Sequence, residues 1–435
     1  MKMKNEKKRY RVLAIAEAAN PEWVSVPLIG WSLANALSKI ADVHIVTQIR
    51  NRDAMLRAGL VEGRDFTAID SEALTRPMWH VANALRMGKG KGWTMATAMA
   101  AISYPYFERL VWKKFGAKIE NGEFDIVHRI TPLTPTTVSP IAAKCERAGV
   151  PFVMGPLNGG VPWPKGFDAE RRREREWLSY VRDVYKALPG RSRMLRSAAA
   201  IIAGSKHTAS ELPKQFHSKQ VYIPENAIDP QRFNQVAVQT TKGPLKAIFV
   251  GRLVPYKGAD MAIEAAAPLL ASGKMTYDIV GDGPARNDLE ALVANKGLGN
   301  AVKFHGQLPH SSVQDKVVAA NILLFPSIRE FGGGVVLEAM ALGVVPLIVD
   351  YAGPAELISK TTGFSVPIGS REDIVISLQA KLEHLCDQRL ILQDMGLSAR
   401  SHVMDKFTWA AKAQQINEVY AWVKSERNDK PCPFK

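Results

Sequence analysis

Pro326-Ser327-Ile328-Arg329-Glu330-Phe331-Gly332-Gly333-Gly334-Val335-Val336-Leu337-Glu338-Ala339-Met340 follows the apolar run Ile322–Pro326 and precedes another, Pro346–Val349. A short apolar run ending at a proline reads as a buried strand. The glycine triplet reads as a loop, and the stretch from Gly334 as a helix feeding the next strand. Strand, glycine loop, helix and strand make a βαβ unit, the building block of a parallel sheet. The same alternation covers most of the chain. Strand candidates in the first half are Arg11–Ala16, Val43–Thr47, Asp125–Ile130, Pro151–Met154 and Ala199–Gly204. In the second half they are Lys246–Val250, Thr276–Val280, Val302–His305, Ile322–Pro326, Pro346–Val349 and Gly363–Val366. Each half supplies enough strands for its own sheet, which predicts an α/β protein with two tandem Rossmann-like doubly wound domains. The polar segment Pro224–Thr241 is the expected junction, and the tail from Ser425 reads as frayed.

The composition agrees with this organisation. The 435 residues, 46% hydrophobic and 23% charged, suit two or three domains with sizeable cores and exclude wholesale disorder. Cys145, Cys386 and Cys432 are too few and too scattered for a disulfide framework or a Cys-based zinc site. No run reaches the roughly 18 apolar residues needed to span a bilayer. The opening MKMKNEKKRYRVLAIAEAA mimics a secretion signal, but Glu17 cuts its apolar run short, and a cytoplasmic location is expected. The net charge of +15 is unevenly placed: residues 1–210 hold 33 Lys and Arg against 19 Asp and Glu, whereas the remainder is nearly balanced. Seven of the nine tryptophans also lie in the first half. A basic, aromatic surface suits an acidic or anionic partner.

In doubly wound sheets ligands bind outside the carboxyl ends of the strands, so the loops after strands are the places to search. Gly251-Arg252-Leu253-Val254-Pro255-Tyr256-Lys257-Gly258 follows one strand. Its glycines permit a tight turn, while the fork of Arg252 and the point charge of Lys257 together suit a diphosphate. A solvated turn with a helix-start lysine fits the same residues. Gly281-Asp282-Gly283-Pro284 is a second such loop, with proline expected at the first helical position. The most informative loop is the one quoted first. Its glycines and the helix start near Gly334 present free amides to an anion. Glu330 and Glu338, eight positions apart, can bracket a polar ligand, one facing a sugar and the other a ribose diol. A surface charge and a dipole-favoured helix-start residue are the plainer alternatives.

The combination G-R-L-x-x-x-K-G, G-x-G-P and E-x7-E, in this order, resembles the retaining glycosyltransferases of family 4, which have the GT-B fold. The resemblance is strongest from Lys246 to Ile368. It implies two Rossmann-like domains facing across a cleft: residues 1–224 for the acceptor, residues 225–405 for the nucleotide sugar. A helix at 406–424 would return to the first domain, ahead of a tail at 425–435. It further implies that Arg252 and Lys257 meet the donor diphosphate, with Gly251 and Gly281 also in the donor site. Glu330 would contact the donor sugar, Glu338 the ribose, and Gly306, Gln307 and Leu308 the base. Gly332, Gly333, Gly334 and Val335 would offer amides to the phosphates. Glu330, Arg252 and Lys257 are the residues expected to carry the chemistry. One departure stands out: Phe331 follows Glu330 directly and a third glycine fills the gap.

Signals in the first half are softer. Gly30 opens the first helix after the loop Asn20–Ile29. His128 matches the first histidine of an H-x-H pattern whose second position is Ile130 here; a buried, hydrogen-bonded histidine is an equal reading. Gly155-Pro156-Leu157-Asn158-Gly159-Gly160 matches a G-P-x-x-G-G motif, expected to shape the cleft wall after Pro151–Met154, with Asn158 and Gly159 at the acceptor or the cleft. Arg171–Trp177, with the helix running on through Tyr185, and Arg76–Phe115 mix cations with aromatics, as helices lying in a lipid headgroup layer do. A solvated basic face over core aromatics fits too. No nucleic-acid-binding module is visible, so nucleic acid is not an expected partner.

The expected reaction is transfer of a sugar from a UDP- or GDP-linked donor to a glycan or lipid-linked acceptor, with the anomeric configuration kept. Bacterial polysaccharide or glycolipid synthesis is the expected setting. No cofactor or metal is expected: Asp282 is isolated, and Asp350 follows a different strand. A nucleotide-sugar epimerase of the same fold and a non-catalytic sugar-binding relative are the competing classes.

Overall fold

The computed structural model describes residues 9–73, 93–173 and 190–434. Of these, the residues within Met1–Gly160, Glu176–Glu225 and Trp409–Lys435 form one compact unit, and those within Val161–Arg175 and Asn226–Thr408 the other. The stretch 161–175, assigned from sequence to the first domain, thus groups with the second.

The first unit is a parallel sheet in the order β3-β2-β1-β4-β5-β6-β7. Its strands are β1 (Arg11–Ala16), β2 (Asp42–Gln48), β3 (Phe66–Ile69), β4 (Ile126–Thr131), β5 (Phe152–Leu157), β6 (Ala200–Ala203) and β7 (Gln220–Tyr222). Strand alternation divides the core between the two faces. Val12 and Ala14 meet Leu33 and Leu37 of the helix Val26–Ser38, together with Ala413, Ile416, Val419 and Tyr420 of the helix Trp409–Val423. The helix expected at 406–424 therefore does pack on this unit. Leu13 and Ile15 meet Phe107, Val111 and Phe115 of the helix Trp93–Glu120 on the other face.

That packing bears on the expected headgroup helices. Tyr104, Phe107 and Phe115 are core residues, and Trp112 packs against them beneath the ammonium of Lys144, 4.8 Å from its ring centre. These four rings of Arg76–Phe115 thus form a core rather than an exposed aromatic face, while Tyr106 is partly exposed. Residues 74–92 and 174–189, with Trp79 and Trp177, lie outside the described residues. The tail is not frayed. The Tyr10 hydroxyl donates to Glu426, Phe434 stacks edgewise on Tyr222, and the Lys430 ammonium donates to the His217 carbonyl at 3.2 Å. One aromatic contact and two hydrogen bonds, one of them from the buried Tyr10, hold a segment whose polar composition reads as loose.

The second unit has the order β10-β9-β8-β11-β12-β13, again all parallel. The strands are β8 (Leu245–Val250), β9 (Met275–Val280), β10 (Val302–Gly306), β11 (Ile322–Phe325), β12 (Val345–Asp350) and β13 (Phe364–Pro367). The chain winds outward from β8 to β10, then returns to start again at β11 beside β8. That reversal is the topological switch point, where the loops leaving two adjacent strands diverge and open a crevice. The two loops are 251–258 and 326–333.

Candidate functional site

Backbone crowding dictates the glycines of these loops. A Cβ on Gly281 would lie 1.9 Å from the Gly251 carbonyl oxygen, and one on Gly258, at φ +72°, would lie 2.4 Å from the Pro326 carbonyl oxygen. The loops after β8, β9 and β11 are therefore packed backbone to backbone, a spacing only glycine permits. The chain then turns through a 3-10 segment, Pro255–Lys257, into the helix Ala259–Ala271. The proline of the second loop is not at a helix start: Pro284 stands two positions ahead of the helix Arg286–Asn295.

Lys257 and Glu330 meet across the switch point. The Lys257 ammonium donates to Glu330 Oε2 at 2.7 Å, with the two side chains only 17% and 19% exposed. The same ammonium lies 5.1 Å from the centre of the Phe325 ring. The cation and carboxylate expected to face a ligand separately thus form a half-buried pair. Arg252 sits in the same loop and is exposed. Gly333 takes a left-handed conformation (φ 61°) as the N-cap of the helix Gly334–Ala341, and a Cβ on Gly334 would meet nothing nearer than Asn226, at 3.8 Å. The Asn226 side chain therefore lies at ordinary contact distance beside the helix start, whose first amides have no acceptor within the helix. Gly332 lies in the loop just before that cap, and Val335 is partly exposed on the first turn.

Glu338, one turn further along, is partly buried. Burial pushes its carboxyl up from 4.5 to about 7, opposed only by the field of Arg232. Sequence reading missed Arg232, which lies in a polar segment without a motif. On the other side of β8, Gly306 (φ 67°) ends β10 and its carbonyl accepts from the Gly281 amide at 2.8 Å, leaving Gln307 exposed and Leu308 partly exposed. Of the predicted donor residues, Gly251, Lys257, Gly281 and Glu330 are joined by contacts. Gly332, Gly333, Gly334, Val335 and Glu338 follow on the adjoining loop and helix. Gly306 joins the group through Gly281.

Sequence reading also missed a cluster around Arg329. This guanidinium is 8% exposed, its Nε donates to the Val161 carbonyl at 3.2 Å, and it lies 5.0 Å from the Trp163 ring centre and 5.4 Å from that of Phe331. A charged residue one position before Glu330 gives no signal of its own. Two of its partners, Val161 and Trp163, lie far away in the chain, the first 168 positions off.

In the first unit, His128 is fully buried. Gly155 O can only accept, so His128 Nε2 donates to it at 2.8 Å, and Nδ1 accepts from the Tyr420 hydroxyl at 2.7 Å. Burial pulls its pKa down to about 4, so the ring is neutral and both nitrogens are occupied. The buried, hydrogen-bonded reading of His128 holds. Gly30 marks a close approach, since a Cβ there would lie 2.2 Å from the Ala18 carbonyl oxygen. The Asn158 side-chain oxygen accepts from the Gly160 amide at 3.0 Å, and the Gly159 amide donates to Thr208 Oγ1 at 2.9 Å. The structure gives these two positions roles in shaping their loop.

No helix among the described residues is long and apolar enough to cross a membrane. Among the same residues, no group of three or more His, Cys, Asp or Glu is arranged to hold a metal ion.

Residues 231–390 match the family model described as Glycosyl transferases group 1. The chain is 32% identical over 182 residues to 2-deoxystreptamine glucosyltransferase of Streptomyces kanamyceticus, covering 39% of this chain and 47% of that protein. It is 26% identical over 252 residues to the putative colanic acid biosynthesis glycosyltransferase WcaL of Salmonella typhimurium, covering 56% and 60%. The chain thus spans about half the length of the curated relatives it matches. The solved structure of a glycosyltransferase from Rickettsia africae superposes with a TM-score of 0.63 at 15% identity, covering 97% of this chain and 100% of that one, which shows a shared GT-B fold.

Proposed function

We propose that the protein, whose residues 231–390 match the family of group 1 glycosyl transferases, transfers a sugar from a UDP- or GDP-linked donor to a glycan or lipid-linked acceptor, with retention at the anomeric carbon. The Lys257–Glu330 pair at the switch point of the second sheet, its Glu330 on the loop that leads into the helix start at Gly334, carries this reading. Polysaccharide biosynthesis is the proposed setting, supported by the WcaL relative, which is named for colanic acid biosynthesis.

In the proposed reaction the bond from the anomeric carbon to the diphosphate oxygen breaks, and a bond to the acceptor oxygen forms on the same face. The acceptor proton passes to the departing phosphate, and negative charge grows on the diphosphate. Lys257, Arg252 and the amides at Gly334 and Val335 supply the opposing positive charge. Removing one preorganised donor of this kind costs about 10²–10³ in rate. Glu330 holds Lys257 in place until the diphosphate arrives and then faces the sugar. Glu338 receives the ribose. No metal is assigned a step, since fixed cations and amides meet the charge. Acceptor recognition is assigned to the first unit. Its excess of positive charge is proposed to draw the chain to an anionic membrane surface. Sedimentation with anionic vesicles that weakens as salt rises is the expected result, and equal recovery with and without vesicles at low salt rejects it.

The donor is tested by thermal shift with UDP, GDP and a panel of their sugars, since a ligand bound to the native state raises the melting temperature. At least one nucleotide sugar should stabilise the wild type and not Lys257→Ala. If no UDP- or GDP-sugar moves the transition at millimolar concentration, the proposed donor class is wrong.

A further inference from the structure

We infer that Val161–Trp163 acts as a strap clamped by Arg329, and that Arg329 is a positioning residue for the Lys257–Glu330 pair. The inference rests on the function proposed above but adds residues that neither the motifs nor the relatives point to.

The strap touches the loops leaving three adjacent strands of the second sheet. The Val161 carbonyl accepts from Arg329 Nε on the loop after β11, and the Pro162 carbonyl accepts from the Tyr351 hydroxyl, after β12, at 3.0 Å. The Trp163 ring meets Tyr256, after β8, edge to face with centroids 6.1 Å apart. Two of these anchors are immediate chain neighbours of the paired residues: Tyr256 precedes Lys257, and Arg329 precedes Glu330.

The loops are also tied to each other. The Tyr256 carbonyl accepts from the Ile328 amide at 3.0 Å and from the Ser327 hydroxyl at 3.2 Å. The Glu330 carbonyl accepts from the Gly353 amide at 3.2 Å. Arg329 lies against Trp163 and Phe331 and, through Nε, holds the strap backbone. A planar guanidinium is suited to this double task, because it stacks on rings while its edge still donates. Phe331 directly after Glu330, with the extra glycine behind it, thereby gains a physical reason: it contributes one of the two rings against which the guanidinium packs. Neither Arg329 nor Trp163 needs to touch the donor. They restrict where Glu330 and Lys257 can point, and small misplacements of such groups are costly in rate.

Arg329→Ala, Arg329→Lys, Trp163→Leu and Trp163→Phe test the clamp. Backbone hydrogen exchange of the ligand-free protein is the first readout, because it does not depend on any reaction. Arg329→Ala and Trp163→Leu should speed exchange in 327–333 and 351–353 at least tenfold and leave β8–β12 protected. Trp163→Phe, which keeps a ring beside Arg329, should restore most of the protection. Turnover of whichever donor the thermal-shift panel identifies is the second readout. Arg329→Lys keeps the charge but loses the stacked plane, and it should lower kcat 10- to 100-fold while KM for the donor stays within about threefold. Trp163→Phe should recover it. Unchanged exchange in folded Arg329→Ala overturns the clamp whether or not a donor is found. Wild-type kcat in Arg329→Lys, or loss of KM and kcat alike in Trp163→Phe, overturns the positioning role. Wild-type turnover in Lys257→Ala instead rejects the function on which the inference rests and leaves the exchange result to judge the strap.

Discussion

The Lys257–Glu330 pair makes two separable demands, one on stability and one on turnover. Their side chains are about four-fifths covered and their charges lie 2.7 Å apart. Exposed pairs couple by about 0–1 kcal/mol, and breaking a fully buried pair costs about 3–5 kcal/mol. Residual solvent access places this pair between those limits, at a coupling of about 2 kcal/mol. Lys257→Ala leaves a half-covered carboxylate without its cation, and Glu330→Gln leaves the converse. Each single variant should therefore lose about 2 kcal/mol, lowering Tm by about 4–8 °C for a cooperative unit of this size. The double variant should lose little more than either single one, because the second removal leaves no further orphan charge. In turnover, Lys257→Ala should fall at least 100-fold even at temperatures where it is fully folded. Denaturant melts of the four proteins of the cycle, followed by donor turnover at 20 °C, provide both numbers. A coupling below about 0.5 kcal/mol would show that solvent already screens the pair. Wild-type turnover in folded Lys257→Ala would refute the assignment of the diphosphate site.

Three shorter expectations follow from the same geometry. Glu338 has a folded pKa near 7, above its ordinary 4.5, so the native state holds the extra proton and wild-type stability relative to Glu338→Gln should fall as pH rises from 5 to 7, then level off. Nucleoside diphosphate affinity measured by calorimetry should strengthen through pH 7 in the wild type and stay flat in Glu338→Gln; equal slopes would dismiss a ribose-binding carboxylate. Lys412 is fully buried, donates to the Pro224 carbonyl and has its pKa lowered to about 7 by burial. The unfolded chain therefore binds the proton more tightly, and stability relative to Lys412→Met should climb by up to about 1.4 kcal/mol per pH unit above 7, as read by urea melts at pH 7, 8 and 9. Gly334→Ala places a methyl in ordinary contact with Asn226, without a clash, and should leave Tm unchanged or slightly higher while weakening nucleotide binding about tenfold, whereas Gly258→Ala drives a methyl into the Pro326 carbonyl and should unfold the second unit. Unimpaired nucleotide binding by Gly334→Ala would remove the helix start from the phosphate site.

Legibility of this sequence tracks how local the determining forces are. All the central strands could be read, because burial on both faces demands continuous apolar runs such as Ile322–Phe325. The edge strands Phe66–Ile69 and Gln220–Tyr222 could not, since four- and three-residue strands at a sheet margin need no such run. Lys257 and Glu330 were legible as site residues because glycines that only close loop packing requires surround them. Their pairing with each other was not, because it depends on the strand order that sets β8 beside β11. Arg329 and Trp163 gave no sign at all: each is an unremarkable residue until the fold brings 161–163 onto the second sheet.

The pairing of Lys257 with Glu330 also bears on how a phosphate site can exist without its ligand. An ammonium four-fifths withdrawn from water, with no counter-ion, would be costly to keep charged. Here the counter-ion is the carboxylate proposed to face the sugar, so the pair itself is neutral in the ligand-free site. A diphosphate arriving at Lys257 displaces an ion pair rather than water alone, and the displaced carboxylate is released next to the bond that must break. Binding and orientation are then one event. On that account Glu330→Gln should bind the bare nucleoside diphosphate at least as tightly as the wild type, since Lys257 is no longer engaged, yet turn over its sugar at least tenfold more slowly. Calorimetry with UDP and GDP, set beside turnover of the cognate sugar, reads both sides. Weaker diphosphate binding in Glu330→Gln would mean that the carboxylate serves only to hold the lysine.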